Sequence, residues 1–195
     1  MLIRSFIAIP VPREMANALG DVAAQMAYQD KSNAVRWVDQ GNYHITLAFL
    51  DQQNEHDLES LAEQLDHYLP QTSFNISVSH LSPFPESKPK LIAAMVNKSE
   101  PLIDLHKQVT SALLASPIIP DKRRFIPHIT LGRYRHTKKP FMGAMPTVVE
   151  TSGELSEVAL YESTLTANGA EYEAMFRFPL DPFEFEPDLD WEDKL

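Results

Sequence analysis

The phrase His44-Ile45-Thr46-Leu47 recurs, 84 residues further on, as His128-Ile129-Thr130-Leu131. Successive side chains of an extended strand point to opposite faces, so each copy puts its His and Thr on one side and its Ile and Leu on the other. One face is free for chemistry while the other packs. The surroundings repeat as well: Phe6, in an apolar opening strand, stands 38 residues before His44, and Ile92 stands 36 residues before His128. Strand, helix, loop and motif strand thus come twice in the same order. An internal duplication accounts for this, with too few copies and too long a period for a solenoid.

The elements between follow from periodicity. Leu2 to Pro10 is an opening strand ended by Pro10 and Pro12. Met15, Leu19, Val22, Ala23 and Met26 recur at helical spacing to about Tyr28, and Leu58, Leu61, Leu65 and Leu69 mark a second helix over Glu55 to Leu69. Tyr43 to Leu50 is the first motif strand, preceded by the short apolar run Val35 to Val38 and a turn over Asp39 to Asn42. Phe74 to Ser79 alternates and is a strand. The proline-rich stretch 82–90 reads as a loop and as the crossing between two lobes. Leu91 to Val96 is a strand, and Leu102, Leu105, Val109 and Leu113 give a third helix with Ser99 as N-cap and Pro101 in its first turn. A hairpin is expected from Glu154 to Leu180, turning at Ala167-Asn168-Gly169.

This order predicts an α+β fold: two pseudo-twofold-related lobes, each an antiparallel sheet with helices on its outer face, around a central cleft. Its 195 residues suffice for one domain over 1–195, two intertwined lobes sharing a core, followed by an acidic tail over 181–195. There is no cysteine, which removes disulfides, thiolate metal sites and cysteine nucleophiles and fits a reducing cytoplasm. No stretch approaches the roughly 20 apolar residues of a membrane helix, and a cytoplasmic monomer is expected. The formal charge of −10 argues against coating long nucleic acid. Seven of the acidic residues lie in the tail, however, leaving 16 basic against 20 acidic in the body. A few local cations could still hold a small phosphorylated substrate.

Hydrolysis of a phosphodiester needs a base for the attacking water and an acid for the departing oxygen. Two imidazoles can serve as both, since histidine titrates near about 6.5. Threonine hydroxyls two residues along can donate to the non-bridging oxygens. A metal is not required, and His44 and His128 find no third ligand at suitable spacing for zinc. One His-x-Thr alone is more often an ordinary polar strand edge; two copies in matching contexts carry the inference. His56, His67, His80, His106 and His136 have no repeated context.

The two phrases, with Tyr43 before the first, Pro127 before the second and Gly132-Arg133 after it, resemble the paired His-x-Thr-x signatures of the 2H phosphoesterase superfamily. Within it the chain is similar to the bacterial RNA 2′,3′-cyclic phosphodiesterases, also called 2′-5′ RNA ligases. Arg4 to Pro10, Trp37-Val38, Leu160 to Ser163 and Phe178 to Leu180 extend the likeness over nearly the whole chain. The resemblance implies an enzyme, without cofactor, that opens a terminal 2′,3′-cyclic phosphate on RNA to a 2′-phosphate, and that in some members joins ends through a 2′-5′ bond. Its partners would be RNA ends or nucleotides bearing that group. By carry-over His44 is the general acid and His128 the general base, with Thr46 and Thr130 holding the phosphate. Residue chemistry by itself leaves the two histidine roles interchangeable. The rival reading is a non-catalytic module that binds RNA ends or nucleotides on the same scaffold.

Arg133 divides the two lines of reasoning. Strict alternation from His128 puts Gly132 on the cleft face and Arg133 on the other; the family pattern makes Arg133 a substrate contact, which a bulge at Gly132 would allow. Arg123, Arg124, Arg135, Lys138 and Lys139 form a basic neighbourhood that is either a solvated loop or a docking surface for RNA phosphates. Phe84, Phe125 and Tyr134 are candidates to stack a base.

Overall fold

The computed structural model describes residues 2–70, 72–135, 140–146, 149–166 and 169–182. The chain opens with strand β1 (Leu2–Pro10), whose odd-numbered Ile3, Ser5, Ile7 and Ile9 are buried, and helix α1 (Arg13–Gln29) follows directly after Pro12. A short β2 (Val35–Trp37) and a 3-10 turn (Gln40–Asn42) lead into β3 (His44–Asn54). The Asn54 side chain accepts the Asp57 N–H at 2.9 Å, supplying one orphan donor at the start of α2 (Glu55–Tyr68). Then come β4 (Phe74–Phe84), β5 (Leu91–Val96), α3 (Glu100–Ala115), β6 (His128–Tyr134), β7 (Ser152–Leu155), β8 (Glu157–Thr166) and β9 (Gly169–Pro179).

The strands form one antiparallel sheet in the order β7-β4-β5-β6-β3-β1-β8-β9, with β2 beside β6. The two motif strands are neighbours at its centre. Each is flanked by its own opening strand, β3 by β1 and β6 by β5. Helices α2 and α3 pack on one another and on β3, while α1 packs on β2, β6 and β7. The apolar faces of strands and helices, with Ile7, Ile9, Ile45, Ile92, Leu58, Leu65, Leu102 and Leu105 fully buried, make up the core. The fold is α+β, as expected.

Most elements lie where periodicity placed them, with instructive exceptions. β3 continues through the polar Asp51 to Asn54 because β1 pairs with it as far as Leu2↔Asn54, and a ladder needs backbone partners more than apolar side chains. The expected loop at 82–90 begins later. Ser82, Pro83 and Phe84 are still strand, paired with Ala93, Ile92 and Leu91, and 85–90 join the neighbouring strands β4 and β5 as a hairpin, so this stretch is not the expected crossing. β7 covers the other edge of β4 only over Phe74 to Ser77, so Pro83 sits at an edge where a missing N–H is tolerated. Ser99 occupies the N-cap position of α3, but its hydroxyl makes no capping bond and is buried without a partner. β8 and β9 form the expected hairpin, closing at Thr166↔Gly169. Ala167 and Asn168 of its turn, Lys138, Lys139 and 183–195 of the acidic tail lie outside the described residues.

Candidate active site

Ile45 and Ile129 are directly paired across β3 and β6, and both are completely buried. Counting outward along the antiparallel ladder sets His44 across from Thr130 and Thr46 across from His128, so the four polar side chains form a diagonal square on the opposite face. Directly opposed Cβ atoms in such a pair lie about 4.5–5.5 Å apart and diagonal ones somewhat farther. Ala8 pairs with Thr46 and Ala93 with Thr130, so a methyl group, the smallest side chain short of glycine, flanks each threonine.

Both motif strands carry a bulge at the same place. Along β3, Thr46 pairs with Ala8 and Ala48 with the next residue, Ile7, leaving Leu47 extra. Along β6, Thr130 pairs with Ala93 and Gly132 with Ile92, leaving Leu131 extra. A bulge places two consecutive residues opposite one and reverses the alternation beyond it. Consequently Arg133, paired with Leu91, shares the face of His128 and Thr130, and Gly132 turns to the core. Strict alternation had these two the wrong way round. A Cβ built on Gly132 would stand 2.5 Å from Val35 Cγ1 and 3.1 Å from Trp37 Cε3, which confirms the direction. Gly132→Ala is therefore expected to destabilise the fold by about 1–3 kcal/mol through overpacking, and Val35→Ala to recover part of that loss in the double variant, read from denaturant midpoints.

The imidazoles are held alike. His44 Nδ1 donates to the Asn42 carbonyl and His128 Nδ1 to the Ile126 carbonyl, both at 2.7 Å. A carbonyl can only accept, so each neutral ring carries its proton on Nδ1 and leaves Nε2 as an acceptor. Phe6 and Tyr172 pack on His44 at centroid distances of 5.0 and 5.1 Å, and Phe84 on His128 at 4.5 Å. Burial pushes His44 down to about 4; the Asn42 carbonyl opposes this, and the charges of Arg133 and His128 add to it. His128 is also held below the ordinary histidine range by burial and by Arg133, against the Ile126 carbonyl. Arg133 therefore lies close enough to act on both rings. With both held below the ordinary histidine range, both rings are neutral near pH 7.

Other expected contacts fall elsewhere. Phe84 lies against His128, and Phe125 stacks on His106 at 4.1 Å. Tyr134 pairs with Val35 beside the core-facing Gly132. Arg123 lies over the Phe49 ring, 4.7 Å from its centroid, and bonds to Asp121. Phe49 escaped the sequence reading. It occupies in the first motif strand the place of Arg133 in the second, is turned to the histidine face by the Leu47 bulge, pairs with Phe6 and is 46% exposed. Aligning the two copies of the repeat at their histidines would have matched Phe49 with Arg133. Two cavities, of about 620 Å³ beside Gln29 and Pro140 and about 250 Å³ beside Gly20 and Tyr43, contain neither histidine. Among the described residues no three His, Cys, Asp or Glu side chains converge as a cation cage, and no helix is long and apolar enough to cross a membrane.

Residues 12–165 match the family described as the 2′-5′ RNA ligase superfamily. The chain belongs to this superfamily. It is thereby a 2H phosphoesterase, as its paired signatures indicated. Relatives of this superfamily member include proteins named RNA 2′,3′-cyclic phosphodiesterase. The one from Geobacillus stearothermophilus is 28% identical over 185 residues, which cover 90% of this chain and 56% of that relative's length. The one from Methanocaldococcus jannaschii is 27% identical over 177 residues, covering 88% and 98%. Among solved structures, E. coli LigT in apo form superposes with a TM-score of 0.73 at 24% identity, covering 92% of this chain and 98% of that one. LigT complexed with 3′-AMP gives 0.73 at 25%, covering 92% and 99%.

Proposed function

We propose that the protein hydrolyses the 2′,3′-cyclic phosphate at an RNA 3′ end to a 2′-phosphomonoester, without a metal, by two-histidine acid–base catalysis. The observation that carries this is the Ile45↔Ile129 pairing, which sets two Nδ1-anchored imidazoles on one face with a threonine across from each. His128 takes a proton from water as its oxygen bonds to phosphorus, and His44 gives one to the 3′ oxygen as the P–O3′ bond breaks. Thr46 and Thr130 donate to the non-bridging oxygens, and Arg133 balances their charge. A 5′-hydroxyl in place of water would yield a 2′-5′ diester, so ligation would use the same residues.

Relatives named RNA 2′,3′-cyclic phosphodiesterase and the complex of LigT with 3′-AMP support the substrate class. The strand order supports a chain built as one domain of two pseudo-twofold lobes, β3-β1-β8-β9 and β6-β5-β4-β7, meeting at the motif strands. The matched Leu47 and Leu131 bulges and the matched Ala8 and Ala93 fit the same duplication.

Because both rings of the free enzyme are neutral near pH 7, the acid gains its proton as the anionic substrate binds. In the free enzyme His44 works protonated with a value of about 4, and His128 works neutral with a value below 6.5. The kcat/KM profile is the bell bounded by these free-enzyme values, so its maximum lies below pH 6.5, whereas the profile of kcat shifts upward because bound phosphate favours imidazolium. Turnover of a nucleoside 2′,3′-cyclic phosphate in a chelator, followed from pH 4 to 9 as a test range, checks both points. Binding without turnover, loss of activity in chelator, or a kcat/KM maximum above pH 7 counts against the mechanism.

A further inference from the structure

Arg36 stands on β2 directly across from Arg133 in the β2–β6 ladder. Val35 and Trp37, its neighbours, press on Gly132 from the core side, so Arg36 points the other way, onto the histidine face beside Arg133. Both arginines are exposed. Like charges directly opposite one another in a sheet repel, and among the described residues neither guanidinium forms an ion pair with a carboxylate. The repulsion is not relieved within the described part of the molecule.

β2 is nevertheless firmly held. The Asp30 carboxylate accepts the N–H groups of Ala34 and Val35 at 3.0 and 2.9 Å, Arg135 N–H bonds to the Ala34 carbonyl at 2.7 Å, and Val38 N–H bonds to the Leu131 carbonyl at 2.9 Å. A cation repeatedly anchored beside another cation, on the reacting face, is the arrangement expected of a site whose missing member is an anion. Arg133 acts on both imidazoles, and Arg36 stands across the ladder from it, one strand position removed from that contact.

We infer that Arg36 is a specificity residue that binds the backbone phosphate on the 5′ side of the terminal nucleotide, while Arg133 serves the cyclic phosphate. The protein would thereby favour RNA ends over free cyclic mononucleotides. This rests on the function proposed above and adds a second anion subsite to it. A guanidinium holds phosphate through paired N–H donors that glutamine cannot reproduce and that lysine replaces only as a point charge.

The test compares a nucleoside 2′,3′-cyclic phosphate with a short RNA ending in the same group. Arg36→Gln is expected to lower kcat/KM for the RNA about tenfold, through KM, and to leave the mononucleotide within about twofold. The slope of log kcat/KM against log salt for the RNA should shrink by about 0.7, one single-strand phosphate contact. Arg36→Lys should keep that slope, which a merely structural role of Arg36 would not require. Equal losses on both substrates, or no change on the RNA, overturn the subsite while leaving the proposed reaction standing. Wild-type protein that turns over neither substrate removes the proposed reaction and the subsite with it.

Discussion

His44→Ala and His128→Ala are each expected to lower kcat/KM for a nucleoside 2′,3′-cyclic phosphate by about 10²- to 10⁴-fold, the usual range for loss of a general acid or base. The fold should survive. Each imidazole lies on the face opposite the core, is only partly buried, and is tied by Nδ1 to a carbonyl two residues back, so its removal leaves the Ile45 and Ile129 faces of the core in place. The loss of the Phe6 and Tyr172 contacts costs His44→Ala about 0.5–1.5 kcal/mol. Far-UV dichroism and denaturant midpoints measure that part separately from activity. The double variant should fall little below either single one, because the two rings act as a unit. Either variant retaining a third or more of wild-type activity would exclude its histidine from the chemistry.

Replacing the departing 3′ oxygen of the substrate by sulfur should separate the two roles. A thiol loses its proton near about 8.5, far below an alcohol, so a thiolate leaves without help from an acid. On the 3′-thio cyclic substrate His44→Ala is expected to recover to within about tenfold of wild type, while His128→Ala stays depressed by about 10²-fold or more. This experiment is needed because burial weakens the proton affinity of the ring assigned as the acid. Burial and the charges of Arg133 and His128 hold His44 at about 4, yet His44 is the ring asked to donate. A bell-shaped pH profile cannot distinguish this from the reverse arrangement, since both have one proton shared between two rings. Rescue of His128→Ala instead would exchange the roles; rescue of neither would remove the acid from the mechanism.

Much of the site was legible in the residues. The alternation of His and Thr against Ile and Leu is a local property, and it correctly placed both His-x-Thr pairs opposite the buried isoleucines. The repeat led to the expectation of similar settings for the two motif strands, and each does lie beside its own opening strand. Arg133 was not legible in the same way. Its face depends on an unpaired Leu131, and an extra residue in one strand can be seen only against the strand beside it. The same reason hid Phe49 behind the Leu47 bulge. Arg36 looked like one polar residue in the short apolar run Val35 to Val38 until β2 was found against β6.

By itself the sequence determined that two strands would each present a histidine and a threonine on one face, because side-chain direction in a strand depends only on the parity of the chain. Tertiary structure alone decided that these strands are neighbours, that Arg133 joins them and that Arg36 stands beside Arg133. Those facts belong to ladder register between segments up to about a hundred residues apart, where backbone pairing and core packing, rather than local pattern, choose which residues meet.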